Sequence, residues 1–238
     1  MGGTVIALTA GDESPPSATA PANPRPPAPQ IEPASENPPA AATTAAPTTP
    51  PAPAPPPPAP VPALPSDRVY EGRGSKVVRL KLADNHVHIA TITHQGSSNF
   101  IVESVDSTGD MQDLLVNEIG RYSGVRPLDF EAAPTALKID ADGKWRIVVR
   151  VGQKAPMWSG KASGKGSAVL RINPDSVQTL PTVKFTHQGS GNFIVYAYGD
   201  SQDLLVNEIG RYSGETLLPG GASFVEIQAD GAWTFVSS

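Results

Sequence analysis

Three blocks of sequence occur twice in this chain, in the same order. Residues 93–102 read THQGSSNFIV and residues 186–195 read THQGSGNFIV. Residues 113–124 read DLLVNEIGRYSG, and residues 203–214 repeat them without a change. ADGKW at 141–145 returns as ADGAW at 229–233. The offsets are 93, 90 and 88 positions, a drift that places the length differences in the loops between blocks. A unit that can be copied whole folds as a unit, so the chain holds two tandem modules, each closing its own core.

Composition sets the boundaries. Of the 27 prolines, 21 lie before Ser66, among Ala, Thr and Ser. Such a segment cannot bury enough apolar surface to offset its ordering entropy, so residues 1–66 are expected to form a disordered or polyproline stalk. At about 3.1 Å per residue, roughly fifty such residues reach on the order of 150 Å. Thr43, Thr44, Thr48 and Thr49 beside Pro47 and Pro50 are candidate glycosylation sites, with a plain soluble spacer as the alternative. The two modules are then expected at 67–152 and 153–238. Residues 2–11, GGTVIALTAG, are apolar but lack the basic start of a signal peptide. They read either as a start without function or as the remnant of a signal or membrane anchor that begins upstream. An extracellular or envelope location follows if such an export signal exists, and a cytoplasmic one otherwise.

The chain has no cysteine, which excludes disulfides and cysteine-based metal sites. Its net charge is −5 with acids and bases interspersed, so the basic stripe that nucleic-acid binding needs is missing.

After Ser66 the pattern has period two. Val78, Leu80 and Leu82 alternate with Arg79 and Lys81, and Leu137 and Ile139 flank Lys138. Trp145, Ile147 and Val149 alternate with Arg146, as do Val225 and Ile227 around Glu226 and Trp233 and Phe235 around Thr234. Alternation of this kind marks half-buried strands. Asp142-Gly143 and Asp230-Gly231 between such strands predict tight hairpins with positive φ at glycine. Six or seven short strands per copy predict an all-β chain: two tandem antiparallel β-sandwiches, jelly-roll-like, with Trp145 and Trp233 in the cores.

Several residue groups carry chemistry in other settings. His86 and His88, two apart on an expected strand, have workable metal spacing with His94 nearby, but only His187 returns in the second copy. These histidines read as exposed strand residues. DADG at 140–143 resembles the opening of a calcium loop but lacks the distal ligands, and a turn explains it more simply; a clamp with Asp106 or Asp110 is the alternative. Residues 159–167 miss the spacing of a phosphate loop, and GxSxG is absent. No metal site, cofactor or catalytic residue is predicted. The duplicated polar set is His94, Gln95, Asn99, Asp113, Asn117, Glu118, Arg121 and Tyr122, matched by His187, Gln188, Asn192, Asp203, Asn207, Glu208, Arg211 and Tyr212. Its members are expected to serve loops and turns, with Glu118 and Arg121 paired on the surface or bridging the sheets. If a ligand site exists, the candidates are His94, Asn99, Arg121, Tyr122, His187, Asn192, Arg211 and Tyr212. Trp158 and Tyr70 join them as matching aromatics near the module starts, either a binding platform or a lid over the core.

HQGSGNF, LLVNEIGRYSG and ADGAW together resemble a tandem β-sandwich repeat module of actinobacterial-type secreted or cell-surface proteins whose activities are uncharacterised. The resemblance runs from about Val77 to the C-terminus and implies the sandwich fold and an envelope setting, but no activity. The expected function is non-catalytic binding or display on a stalk, with an envelope glycan or protein as partner. The alternatives are a sensory or accessory ectodomain of a membrane-anchored assembly and a carbohydrate-binding module serving a separate hydrolase.

Overall fold

The computed structural model describes residues 62–176 and 181–238. The stalk expected over 1–66 and the apolar start at 2–11 lie outside these residues, save 62–66. The described residues belong to one compact unit.

Each copy contributes eight strands that answer one another in order. The first copy runs β1 (Arg68–Arg73), β2 (Lys76–Arg79), β3 (His88–Gln95), β4 (Asn99–Val105), β5 (Met111–Ile119), β6 (Tyr122–Pro127), β7 (Ala136–Ala141) and β8 (Lys144–Val151). A two-residue strand, β9 (Met157–Trp158), precedes the second copy. That copy runs β10 (Lys161–Lys165), β11 (Ala168–Ile172), β12 (Thr182–His187), β13 (Asn192–Tyr198), β14 (Gln202–Ile209), β15 (Tyr212–Leu217), β16 (Phe224–Gln228) and β17 (Ala232–Ser237). Only short 3-10 turns, at Gly152–Lys154 and Pro174–Ser176, interrupt the strands. Among the described residues no helix is long and apolar enough to cross a membrane.

In the first copy a sheet of order β1-β8-β3-β6 faces one of order β2-β7-β4-β5. The second repeats this as β10-β17-β12-β15 and β14-β13-β16-β11, with β9 added parallel to β11. Sequence neighbours pair only at β4–β5 and β13–β14; every other step crosses between sheets or skips a strand. This is the jelly-roll connection, two antiparallel sheets wound around one core. The alternating apolar residues of both sheets meet there: Ile92, Phe100, Leu137, Ile139 and Ile147 in the first copy, Phe185, Phe193, Val225, Ile227 and Phe235 in the second.

Three expectations need correction. Asp142-Gly143 and Asp230-Gly231 do not close hairpins. β7 and β8 lie in different sheets, so Asp142-Gly143 is a corner between layers, and Asp230-Gly231 does the same for β16 and β17. Neither glycine has positive φ. Glycine is required for another reason: a Cβ on Gly143 would lie 2.2 Å from the Gln95 carbonyl oxygen, and one on Gly231 would lie 2.4 Å from the Gly189 nitrogen. β1 and β6 were not among the alternating runs read as strands. Gly72 and Gly124 admit aromatic rings. Cβ atoms there would overlap the Trp145 ring at 2.3 Å and the Tyr122 hydroxyl at 2.4 Å. Finally, Glu226 keeps its predicted phase, but the face it points to is not solvent. The first copy covers it, and Glu226 is only 1% exposed.

The two copies pack through that face. Ile89, Ala155 and Val169 form a small shared cluster flanked by Val125, Phe130 and Phe224. The Val125 N–H donates to the Ser167 carbonyl at 2.9 Å. Glu226 forms an ion pair with Arg126 at 2.8 Å and accepts from the Tyr198 hydroxyl at 2.7 Å. Phe130 meets Tyr198 edge-on, with centroids 5.1 Å apart. Burial pushes the Glu226 carboxyl above its ordinary value against the pull of Arg126, and the Asp113 charge pushes the same way.

Candidate functional site

The three repeated blocks are distant in sequence but meet at one end of each sandwich. His94 from the first block lies parallel to Phe100, with ring centroids 4.2 Å apart. Its Nδ1 is 2.7 Å from the Gly120 carbonyl of the second block. The Gly143 N–H of the third block donates to its Nε2 at 3.3 Å. A carbonyl only accepts, so Nδ1 carries a hydrogen toward Gly120; the Asp142 Oδ1 lies 3.3 Å from Nε2. Asp142 completes the lock: its Oδ2 accepts from the N–H groups of Ser97 at 2.9 Å and Ser98 at 3.1 Å. These bonds, led by Ser97, hold its carboxyl below the ordinary range. The second copy repeats the device. His187 reaches the Gly210 carbonyl at 2.6 Å and accepts from Gly231 at 3.2 Å, while Asp230 accepts from Ser190 at 3.0 Å and Gly191 at 2.9 Å.

Most of the repeated residues are accounted for by this lock and the core behind it. His94 and His187 are 2% and 0% exposed, which corrects the reading of them as exposed strand residues: their imidazoles tie three loops together. Gly120 and Gly210, at φ 88° and 85°, turn the chain into β6 and β15, where glycine avoids a steric cost. Tyr122 and Tyr212 are half-buried and lean on Phe100 and Phe193 at 6.0 and 5.7 Å. Burial raises the Tyr122 phenol above its ordinary value. Trp145 and Trp233 donate to the carbonyls of Gly74 at 2.9 Å and Gly166 at 2.8 Å.

The remaining candidates separate. Trp158 is fully buried, so the surface-platform alternative fails for it. Its ring stacks on Phe235 at 4.3 Å, which stacks on Phe185 at 4.6 Å. Tyr70 is not its counterpart. Tyr70 pairs with Ile147, and the equivalent residue opposite Phe235 is Ala162. The second copy thus fills with Trp158 and two phenylalanines the space that Tyr70, Ile147 and Ile92 fill in the first. Tyr70 is half-buried and its hydroxyl accepts from the Lys81 N–H at 3.0 Å. His88 is 3% exposed; its Nδ1 lies 2.7 Å from Asp129, and its Nε2 accepts from the Ala83 N–H at 3.1 Å. His86 precedes β3 rather than sharing a strand face with His88. Asp106 caps its own turn, accepting from Thr108 and from the N–H groups of Gly109 and Asp110.

One group is left over. Asn99, Asn117, Glu118, Ile119 and Arg121 are exposed, as are Asn192, Asn207, Glu208, Ile209 and Arg211. The β4–β5 register sets Asn99 beside Ile119, Phe100 beside Glu118 and Ile101 beside Asn117, and β13–β14 repeats these pairings. They form one contiguous strip per copy. Glu118 and Arg121 do not pair, and no side-chain hydrogen bond or ion pair engages Asn117, Glu118, Arg121 or their counterparts among the described residues. The apolar member is Ile119 at 77% exposed, matched by Ile209 at 78%.

The first strip has an opposite wall. A groove of about 1010 Å³ runs between the copies, with Leu114 to Glu118, Arg121 and Tyr122 on one side. Lys165, Ser167, Asn192 and Asp230 of the second copy stand opposite. Of the predicted residues, the groove gathers Arg121, Tyr122 and Asn192; it does not include Tyr70, His94, Asn99, Trp158, His187, Arg211 or Tyr212. A smaller cavity of about 410 Å³ adjoins it, lined by Arg126, Glu226, Tyr196 and Tyr198.

No family model and no curated protein matches this sequence. Among solved structures, the tandem CBM22-1-CBM22-2 domain of Paenibacillus barcinonensis Xyn10C is 11% identical, with 72% of this chain and 89% of that chain covered and a TM-score of 0.22. The stem and receptor-binding domain of the spike protein P1 of bacteriophage PM2 is 8% identical, with 74% and 80% covered and a TM-score of 0.16. Superposition this loose carries no functional argument.

Proposed function

We propose that the chain is a non-catalytic binding or display protein of the cell envelope or the extracellular space, and that the duplicated strip is its binding surface. One observation carries this reading. Several buried positions have drifted between the copies: Ala90 answers Val183, Ile92 answers Phe185, Leu137 answers Val225 and Ile147 answers Phe235. Exposed Asn117, Glu118, Ile119 and Arg121 have not changed at all. Packing accounts for the identities at buried Phe100, Val102, Val116 and Trp145, but it leaves solvent-facing residues free, so identity that persists at an unpartnered surface needs a cause outside the fold. A ligand met by both copies supplies that cause. Two weak sites on one chain reinforce each other by avidity. An envelope glycan or an envelope protein is the partner class.

The test compares the full chain with an Arg121→Ala/Arg211→Ala double variant on a glycan array and a peptide array. The reading predicts wild-type signal on one array that falls by roughly tenfold or more in the variant, about 1.4 kcal/mol. Wild-type signal that the variant retains overturns it.

A further inference from the structure

The partner class can be narrowed, if the strip is the binding surface. β5 and β14 are edge strands, each hydrogen-bonded to one neighbour only. A sheet edge presents a row of free backbone N–H and C=O groups, and proteins usually blunt such rows with lysine, proline or irregularity. The other edges follow that practice. β1 carries Arg68 and Arg73, β2 carries Lys76 and Arg79, and β10 carries Lys161 and Lys165. The edge of β6 is closed by the second copy, β15 has Gly214 in mid-strand, and β9 is two residues long. β5 and β14 have neither lysine, arginine nor proline. Their irregularities lie toward the N-terminal half, so the ladder from Val116 to Ile119 and from Val206 to Ile209 is regular. Each also exposes a leucine and an isoleucine: Leu114 40%, Ile119 77%, Leu204 54% and Ile209 78%.

The groove lies against this edge. Leu114 to Glu118 form part of its wall, so open space borders the strand that has no second neighbour. Sugar rings, by contrast, would look for an exposed aromatic face, and the three tryptophans, Trp145, Trp158 and Trp233, are 3%, 0% and 4% exposed.

We infer that β5 and β14 each accept a polypeptide segment in extended conformation as an added strand. The open edge supplies main-chain bonds, Ile119 and Ile209 anchor alternate apolar side chains, and Glu118, Arg121 and their counterparts select among polar ones. The site at β5 is walled by the second copy, whereas β14 offers the edge and strip. The first site therefore binds more tightly than the second.

The test uses the full chain. Random peptides of about 12 residues displayed on phage are panned against it, and the selected peptide is synthesised. Amide hydrogen exchange is then followed with and without peptide, with xylohexaose and chitohexaose as separate arms. Added protection at 114–119 and 204–209, with two peptides bound per chain, is the expected result. An Ile119→Lys/Ile209→Lys variant, blunted at both edges, is expected to bind the peptide at least roughly tenfold more weakly with an unchanged melting transition. Failure to select any peptide with Kd below about 1 mM overturns strand addition. If an oligosaccharide alone perturbs Asn117 to Arg121, the strip remains a binding surface and the polypeptide assignment falls. A peptide that protects other amides overturns both.

Discussion

Replacing His94 with Phe isolates what the loop lock contributes. Phenylalanine keeps the ring and its stack on Phe100 but can neither donate to Gly120 nor accept from Gly143. The Gly143 contact is buried, so its orphaned N–H bears the full cost of an unpaired buried donor, about 1–3 kcal/mol. The Gly120 carbonyl is part-buried and water can replace the lost donor, leaving about 0.5–1.5 kcal/mol. The sum is about 1.5–4.5 kcal/mol, a large share of the roughly 4–13 kcal/mol available to a module of about 85 residues. Urea unfolding of wild type, His94→Phe and His187→Phe measures this directly. Both variants are expected to lose similar amounts, because the second lock has the same bonds at 2.6 and 3.2 Å. Gln95→Ala, one residue away and exposed, is the control and is expected to be neutral. A loss below about 0.5 kcal/mol in both histidine variants would refute the claim that the repeated blocks form one lock.

Trp158→Ala removes a fully buried ring from the Phe235 stack and is expected to cost about 3–5 kcal/mol, read as a lowered melting temperature, without changing ligand affinity. Arg126→Ala leaves Glu226 buried without its ion-pair partner and is expected to cost about 3–5 kcal/mol at neutral pH. Because burial already raises the Glu226 carboxyl, protonation on acidification removes the orphaned charge, so the cost at pH 4 is expected to be smaller than at pH 8 in parallel melts. Asp142 and Asp230 respond in the opposite sense. The N–H groups of Ser97 and Ser190 hold them below their ordinary value of 3.8, so their contribution is present above that pH and is lost as pH falls through the depressed values. Hydrogen exchange is expected to show loops 96–98 and 189–191 loosening only in strong acid, and in neither loop when Asp142→Asn and Asp230→Asn variants are compared across the same acid range.

The all-β jelly-roll architecture was legible because period two and tandem blocks survive in one sequence. Leu137 and Ile139 around Lys138 could be assigned to a face without knowing the partner strand. The Asp-Gly corners were misread because the dipeptide reports a sharp change of direction, not which sheet the next strand joins. Glu226 was misread because alternation specifies side, while a neighbouring module decides whether that side is wet. The histidines were misread for a similar reason. Three bonds from His94 and Asp142 join residues 26 to 49 positions apart, and no local pattern encodes them. Within the candidate site, Asn99, Arg121 and their partners were visible as repeated polar residues. What separated them from His94 and Tyr122 was exposure, which only the structure gives. Ile119 needed the same information, since an isoleucine in a strand reads as core until its face is known.

The account rests on the strip being dispensable to the fold. The most direct measurement is the unfolding free energy of a chain carrying Asn117→Ala, Glu118→Ala and Arg121→Ala together with the same changes at Asn207, Glu208 and Arg211. Among the described residues these side chains make no hydrogen bond or ion pair, so each change is expected to stay within about 0.5 kcal/mol and the cooperative transition to remain in place. A loss comparable to that of His94→Phe would show that the strip is kept for structure, and the binding account would lose its foundation.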